Sequence, residues 1–336
     1  MVRVTVHLKS GLGNRLFQLA AAATFAAKHH CELVVYDGLV EEPVHDKQAN
    51  EFLWTVVKVP HMEGLPEQSV TVYGTYEALD LYEITSSSVI VLEGFFQDAR
   101  FASALRPYVQ DYLDSVTSSV PRRTNSVMVH VRLGDYNHQA PGNLHYIDIA
   151  KFYKRALAYV ETSKLLEVFS DEPDKIETIL GPSLEGRTYV VAPRGSLHMT
   201  LESMITCTGA VIANSTFSWW AAMFMTWTHP SAFVMMPSPW SRLETIWSTL
   251  SRATKYVEPA GLLVPGKDFG PDFDRWKALE FGGPTLVRSE WFIAAIVAIL
   301  VCFVLWWFLG KKTVSLAMNA GLSAGVGLAK KAILGV

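Results

Sequence analysis

Ser126-Val127-Met128-Val129-His130-Val131-Arg132-Leu133-Gly134-Asp135-Tyr136 begins apolar and β-branched and ends in charge. The run Ser126 to Val131 reads as a buried strand, of the kind found in parallel sheets. It delivers His130, Arg132 and Asp135 to its carboxyl end. In open α/β sheets, ligands bind outside the carboxyl ends of strands. An arginine there can grip a phosphate through two parallel charge-assisted hydrogen bonds. An Arg–Asp pair that merely closes a loop is the alternative, and this stretch alone does not separate the two.

Outward from it, short apolar runs alternate with helical patterns. Strands are expected near 2–8, 31–36, 70–73, 89–92, 126–131, 166–169, 188–192, 209–213 and 232–236. Helices are expected near 14–28, 98–117, 149–162, 173–180, 199–207 and 216–226. Such alternation predicts an α/β fold with parallel sheets covered on both faces. Nine strands are many for one sheet and comfortable for two Rossmann-like halves. The Ser- and Pro-bearing segment Ser115 to Asn125 is the expected boundary between them.

The chain has 336 residues, half of them hydrophobic, and a formal net charge of -3. That length suits about two domains. A near-neutral chain without a basic stripe argues against nucleic acid as a partner. Cys31, Cys207 and Cys302 lack metal-ligand spacing and are too few for a disulfide framework, so they read as reduced thiols. The first residues alternate as a strand rather than as a secretory leader.

The far end is different. Trp291 to Leu309 carries no charge over 19 residues. As a helix it would extend roughly 28 Å, close to the hydrocarbon thickness of a bilayer. Tryptophans flank it and Lys311-Lys312 stop it, as expected for a transmembrane helix, with a buried core helix as the alternative. Before it, residues 263–290 read as a covering segment or stalk, within a Gly-, Pro-, Asp- and Phe-rich stretch of no clear period. Residues 310–336 form an Ala/Gly-rich tail.

Two further motifs sit at strand-to-helix junctions. Ser10-Gly11-Leu12-Gly13-Asn14-Arg15 follows the first strand, where glycines let backbone amides approach a ligand at a helix start. It is neither a dinucleotide fingerprint nor a P-loop, and a tight turn explains it equally well. Asn14 can bond a ligand or cap the helix. Ala213-Asn214-Ser215-Thr216-Phe217-Ser218-Trp219-Trp220 places three small polar residues before an aromatic helix, a ready pocket for pyrophosphate oxygens. Trp219 and Trp220 read as core. The sequon Asn214-Ser215-Thr216 is expected to be buried rather than glycosylated. In Phe169-Ser170-Asp171-Glu172, Ser170 or Asp171 caps a helix, and Asp171 can also meet a ribose or base.

The ordered set Gly-Leu-Gly-Asn, Gly94-Phe95-Phe96-Gln97, His-x-Arg-x-Gly-Asp-Tyr, Phe-Ser-Asp and Asn-Ser-Thr-Phe-Ser-Trp-Trp resembles the α-1,2-fucosyltransferase family, glycosyltransferase family 11. The likeness covers roughly residues 1–260 and extends to Pro237-Ser238-Pro239-Trp240 and the tyrosine-bearing helix at Ile149 to Leu157. It implies a GT-B fold: an acceptor-side Rossmann-like domain over 1–120 and a GDP-fucose-binding one over 121–262. It also implies GDP-fucose as the donor substrate, a galactose-terminated glycan as acceptor, inversion at the anomeric carbon, and neither a cofactor nor a metal. Arg132 would then bind the pyrophosphate, with His130 and Asp135 completing the catalytic set. Gly11, Gly13, Asn14, Asp171, Ser215, Thr216 and Ser218 would line the donor. The chain departs from the family at Leu133, where a second arginine is usual, and in the first loop, where Ser10 and Arg15 replace Gly and Gln. Arg15 is the expected source of compensating positive charge.

With no metal, charge on the departing diphosphate must meet preplaced donors: Arg132, the helix start at Ser215–Thr216 and the first-loop amides. Asp135, Glu93, Asp98 and His138 are the candidate bases. The rival readings are a fucosyltransferase of another linkage and an inactive, membrane-anchored glycan-binding relative. Lysines beyond the span favour a cytosolic tail, whereas the lack of an N-terminal targeting signal favours a cytosol-facing catalytic domain on an ER- or Golgi-type membrane.

Overall fold

The structure, a computed structural model, describes residues 1–42, 49–74, 76–84, 89–134, 136, 147–238, 240 and 276–280. The expected membrane helix at 291–309, the tail at 310–336 and most of the stalk lie outside these residues, as do Asp135, His138 and Cys302. Among the described residues no helix is long and apolar enough to cross a membrane. The chain divides into two compact units, Met1–Phe281 and Gly282–Val336, and all described residues belong to the first.

The first part of that unit holds β1 (Arg3–Val6), α1 (Leu12–His29), β2 (Glu32–Leu33), β3 (Val35–Tyr36), α2 (Ala49–Val56), β4 (His61–Met62), β5 (Ser69–Tyr73), α3 (Tyr76–Leu81), β6 (Val89–Glu93) and α4 (Ala102–Ser119). Its four-stranded sheet has the order β2-β1-β6-β5, parallel throughout. β3 and β4 pair separately. The second part holds β7 (Ser126–Val131), α5 (Ile149–Leu157), β8 (Leu165–Ser170), α6 (Ile176–Leu184), β9 (Tyr189–Val191), α7 (Leu197–Ile205), β10 (Gly209–Val211), α8 (Thr216–Thr228), β11 (Phe233–Ser238) and β12 (Trp276–Glu280). Its six-stranded sheet has the order β12-β11-β10-β7-β8-β9, again parallel. Numbered within that half, the order is 3-2-1-4-5-6 read from β9, the arrangement of dinucleotide-binding Rossmann sheets.

Every strand and helix expected between residues 2 and 236 is present within a few residues. The run at 31–36 is two strands, β2 and β3, that serve different sheets. The helix at 149–162 stops at Leu157. Within the irregular stretch ahead of the expected membrane helix, β12 adds an edge strand beside β11, pairing Val234 with Trp276 through Ser238 with Glu280. Trp-Lys-Ala-Leu-Glu has helical composition, and pairing along an open sheet edge overrides it.

The two faces of β7 explain its all-buried pattern. Val127, Val129 and Val131 pack with α5 and α6, including Phe152, Leu157 and Leu180. Met128, on the opposite face, joins a core shared by α1, α8 and the first sheet. Alternate strand residues point to opposite faces, so both faces are covered. α8 is apolar nearly all round, with Trp219 and Trp220 wholly buried, as suits a helix enclosed on every side. Phe17 of α1 lies 4.8 Å and 5.0 Å, ring to ring, from these tryptophans, which are core residues as expected.

Candidate active site

β7 and β10 are neighbours in the sheet, with Met128 opposite Ala210 and Val129 opposite Val211. The strand order reverses between them, and a crevice opens at such a switch point outside the carboxyl ends. β7 ends in Arg132-Leu133-Gly134, and β10 leads through Ile212-Ala213-Asn214 to Ser215, the residue that precedes α8. The two sequence motifs therefore meet where the topology places a ligand.

Asp171, beyond β8, organises the first of them. Its Oδ1 accepts from the Leu133 amide (2.9 Å) and its Oδ2 from the Gly134 amide (2.9 Å). The Arg132 Nη1 lies 3.2 Å from Oδ2. A Cβ at position 134 would fall 2.6 Å from that oxygen, so only glycine lets the turn close on the carboxylate. Asp171 thus braces the arginine loop rather than reaching outward. The Arg132 side chain keeps about a quarter of its surface, 26%, and stacks on the Tyr136 ring at 5.5 Å. Leu133, the expected departure in this loop, is buried in the core against α5 and the β7–β8 face.

His130 is buried beside the Phe217 ring, and its Nδ1 has no hydrogen-bond partner. Burial pushes its pKa down to about 4, assisted by Arg132 and opposed by Asp171, so the ring is neutral near pH 7. Its carbonyl accepts from the Tyr153 hydroxyl on α5, which ties that helix to the strand end.

At α8 the N-cap Ser215 has extended backbone and makes no side-chain hydrogen bond to the helix. The amides of the first turn are thereby left without a side-chain cap, and the helix dipole adds partial positive charge. Ser218, expected near phosphates, spends its hydroxyl on the carbonyl of Ser215 (3.1 Å) and points at that of Ala213 (3.5 Å). Asn214 is buried, donating to the Trp240 carbonyl at 3.1 Å, so the sequon is inaccessible to glycosylation in the folded chain.

The first loop comes to the same place from the other sheet. A Cβ on Gly13 would lie 2.4 Å from the Thr216 carbonyl carbon and 2.5 Å from the Phe217 nitrogen. Gly13 is therefore the point where α1 and the start of α8 touch backbone to backbone. Gly11, the N-cap of α1, has open space around it. The Asn14 amide is engaged inside the loop: it donates to Ser10 Oγ (2.9 Å) and accepts from Gln97 (2.7 Å). Ser10 and Phe96 hold left-handed backbone at φ 68 and 49, a strain characteristic of functional turns.

Arg15 overturns its expectation. It is fully buried, donating to the Ser10 carbonyl (2.7 Å), the Asn50 side chain (2.5 Å) and the Glu41 carbonyl (2.8 Å). It holds the loop in shape and presents no charge to a ligand. Asp98, a candidate base, is also buried, in a two-oxygen pair with Arg100. Glu93 is bound by His7 and Lys9. Burial alone would raise its pKa, but those two partners outweigh it and lower the value. No pattern in the sequence marked His7, Lys9, Gln18 or Asn50. His7 and Lys9 follow the carboxyl end of β1, Gln18 lies in α1 and Asn50 in α2.

Residues 74–230 match the family model for glycosyl transferase family 11. The chain is 24% identical over 184 residues to the O-antigen biosynthesis glycosyltransferase WbnK of Escherichia coli, covering 49% of this chain and 60% of that protein. It is 24% identical over 168 residues to an alpha-1,2-colitosyltransferase of Escherichia coli, covering 46% and 57%. The chain therefore matches a little under two thirds of the length of either relative. Among solved structures, POFUT1 in complex with GDP aligns at 12% identity and TM-score 0.47, over 70% of this chain and 98% of that one. Fucosyltransferase NodZ from Bradyrhizobium aligns at 13% and 0.41, over 67% and 94%. Two parallel sheets and a switch-point arginine beside a helix start accompany a likeness, over residues 74–230, to the glycosyl transferase family 11 model.

Proposed function

We propose that the protein is an inverting, metal-independent fucosyltransferase of GT-B architecture, moving fucose from GDP-fucose to the 2-hydroxyl of a terminal galactose. The observation that carries this reading is the meeting of Arg132 with the uncapped start of α8 at the β7/β10 switch point, within the residues that match the family 11 model. Both supply fixed positive character before the reaction begins. Preplaced donors of this kind stabilise charge developing on a departing diphosphate without solvent reorganisation. Arg132 meets the pyrophosphate oxygens, and the amides at Thr216 and Phe217 receive the others. Asp171 keeps the guanidinium aimed, and Gly11 leaves room above the opposite loop for the nucleotide sugar. In this reading His130 and Ser218 shape the donor site from beneath. A C-terminal membrane anchor at 291–309 is part of the same proposal.

The test is release of GDP from GDP-fucose with a panel of β-galactosides, followed by determination of the linkage formed. Fucose on the galactose 2-hydroxyl is the expected product. Saturable GDP-fucose binding with no turnover on any acceptor would reject the enzyme in favour of a glycan-binding relative. A different linkage would reject the α-1,2 assignment alone. Protease protection of the N-terminal part in sealed microsomes would refute a cytosol-facing catalytic side.

A further inference from the structure

The carboxyl ends of β1 and β6 hold a second polar cluster that the donor site does not use. They are adjacent parallel strands, with Arg3 paired to Val89 through Val6 to Leu92. Carboxyl ends of strands are where open α/β sheets hold their ligands. His7 follows β1 and Glu93 ends β6. The His7 Nδ1 lies 2.8 Å from Glu93 Oε2, and its Nε2 lies 3.2 Å from Glu41 Oε1. Lys9 pairs with the other oxygen of Glu93. Gln18 of α1 fixes both strand ends, accepting from the Lys9 amide (3.0 Å) and donating to the Gly94 carbonyl (3.2 Å). Next to this cluster the Phe95 ring is 48% exposed, with the Lys9 ammonium 5.4 Å from its centre. The loop from His7 runs directly to Gly13, which touches the start of α8, so the cluster borders the donor side.

The two carboxylates on the imidazole are not equivalent. Glu93 is mostly buried and doubly held, whereas the Glu41 side chain is about half exposed. A pair with one partner half in solvent is weakly held, so an incoming hydroxyl can displace it. With Glu41 displaced, a fixed carboxylate on Nδ1 keeps a proton there and leaves Nε2 as the acceptor for the incoming hydroxyl. Of the other groups considered for this task, the two among the described residues are already committed: Asp98 to Arg100, and Glu93 to His7 and Lys9.

We propose that His7, oriented by Glu93, takes the proton from the acceptor hydroxyl, with the acceptor sugar lying against the open face of Phe95. This rests on the fucosyl-transfer reading. In the step, the acceptor O–H bond breaks and its proton passes to His7 Nε2. The freed oxygen bonds to the anomeric carbon, and the bond from that carbon to the diphosphate breaks, its electron pair leaving with GDP. The imidazolium so formed is stabilised by Glu93 and returns its proton to solvent on the Glu41 side. His7 is then the catalytic residue and Glu93 a positioning residue.

The experiment uses the full chain and first establishes wild-type turnover of GDP-fucose with a galactoside. His7→Gln is expected to lower kcat by about 10²-fold or more, with GDP affinity unchanged by calorimetry. His7→Ala is expected to regain part of the lost rate when imidazole is added, which a purely structural histidine would not allow. Glu93→Gln should lower kcat while leaving the donor KM alone, and Phe95→Ala should raise the acceptor KM. An active wild type with an equally active His7→Gln overturns the assignment while leaving the transferase intact. Loss of GDP affinity in His7→Gln overturns it too, because His7 would then belong to the donor side. A wild type that binds GDP-fucose but turns over no galactoside rejects this assignment and the functional reading together.

Discussion

The carboxyl end of β1 and the carboxyl end of β7 each lead into an arginine, and the two are handled in opposite ways. Arg15 is sealed off, with each of its three nitrogens donating to a loop carbonyl or to the Asn50 side chain. Arg132 stays partly open at the switch point, steadied from behind by one carboxylate that also grips the two following amides. Residue type does not distinguish them. What does is the supply of acceptors. Ser10, Glu41 and Asn50 each engage a different nitrogen of one guanidinium, whereas Asp171 divides its two oxygens among three donors. The first end is thereby a rigid frame with His7 at its mouth, and the second is the proposed anion site.

The sharpest way to break this contrast is to remove Arg15. Arg15→Ala strips a donor from three acceptors and leaves a cavity, so a stability loss of about 3–5 kcal/mol is expected. Denaturant unfolding measures it. A loss under about 1 kcal/mol would mean that water replaces the guanidinium and that the loop is no frame.

Arg132→Ala is the mirror experiment. Transfer should fall about 10²–10³-fold, the usual cost of removing one preplaced donor from a developing charge. The unfolding midpoint should move little, because the side chain is partly exposed and its removal leaves Asp171 with both amides. Full activity in this variant would sink the donor-site assignment. A large stability loss with unchanged GDP affinity would make the two arginines alike after all.

These roles were unequally legible in the sequence. β7 and α8 declared themselves through uninterrupted apolar runs followed by polar residues at a strand or helix end. The burial of Trp219 and Trp220 followed from a helix that is apolar all round. Arg132 and the Ser215–Thr216 helix start were readable because strand ends are where such folds bind ligands. Arg15 was not, since its partners lie up to 35 positions away in segments with no distinctive pattern. His7 and Glu93 are 86 positions apart and joined only by the β1–β6 register. β12 was hidden by composition, and α2 and α3 by their brevity, at eight and six residues. The contact between Gly13 and Thr216 spans both sheets and has no local trace at all.

That contact is where the two regions can be uncoupled. Gly13→Ala drives a methyl group into backbone at 2.4–2.5 Å, which α1 or α8 must relieve by shifting. Overpacking of this sort costs about 1–3 kcal/mol. Because the shift falls on the first turn of α8, GDP affinity should weaken together with stability. A drop in stability with unaltered GDP affinity would separate Gly13 from the donor site and leave it a packing residue.

The smallest effect, and the one that reads the second end most directly, is in pH. His130 is buried with a pKa near 4, whereas an unfolded histidine titrates near 6.5. Between these values the unfolded chain binds a proton that the folded chain refuses. Stability therefore falls as pH is lowered from about 6.5 toward 4, by at most about 1.4 kcal/mol per pH unit from this group. Above about 6.5 the contribution is flat, because both states are neutral. Urea unfolding between pH 7 and 5 isolates it from most carboxylate titration. His130→Gln should flatten that slope while leaving the Tyr153 bond to the residue 130 carbonyl in place. An unchanged slope in the variant would mean that the ring takes up its proton in the folded state. The imidazolium would then add a second positive charge beside Arg132, and the donor site would strengthen its hold on a diphosphate as pH falls.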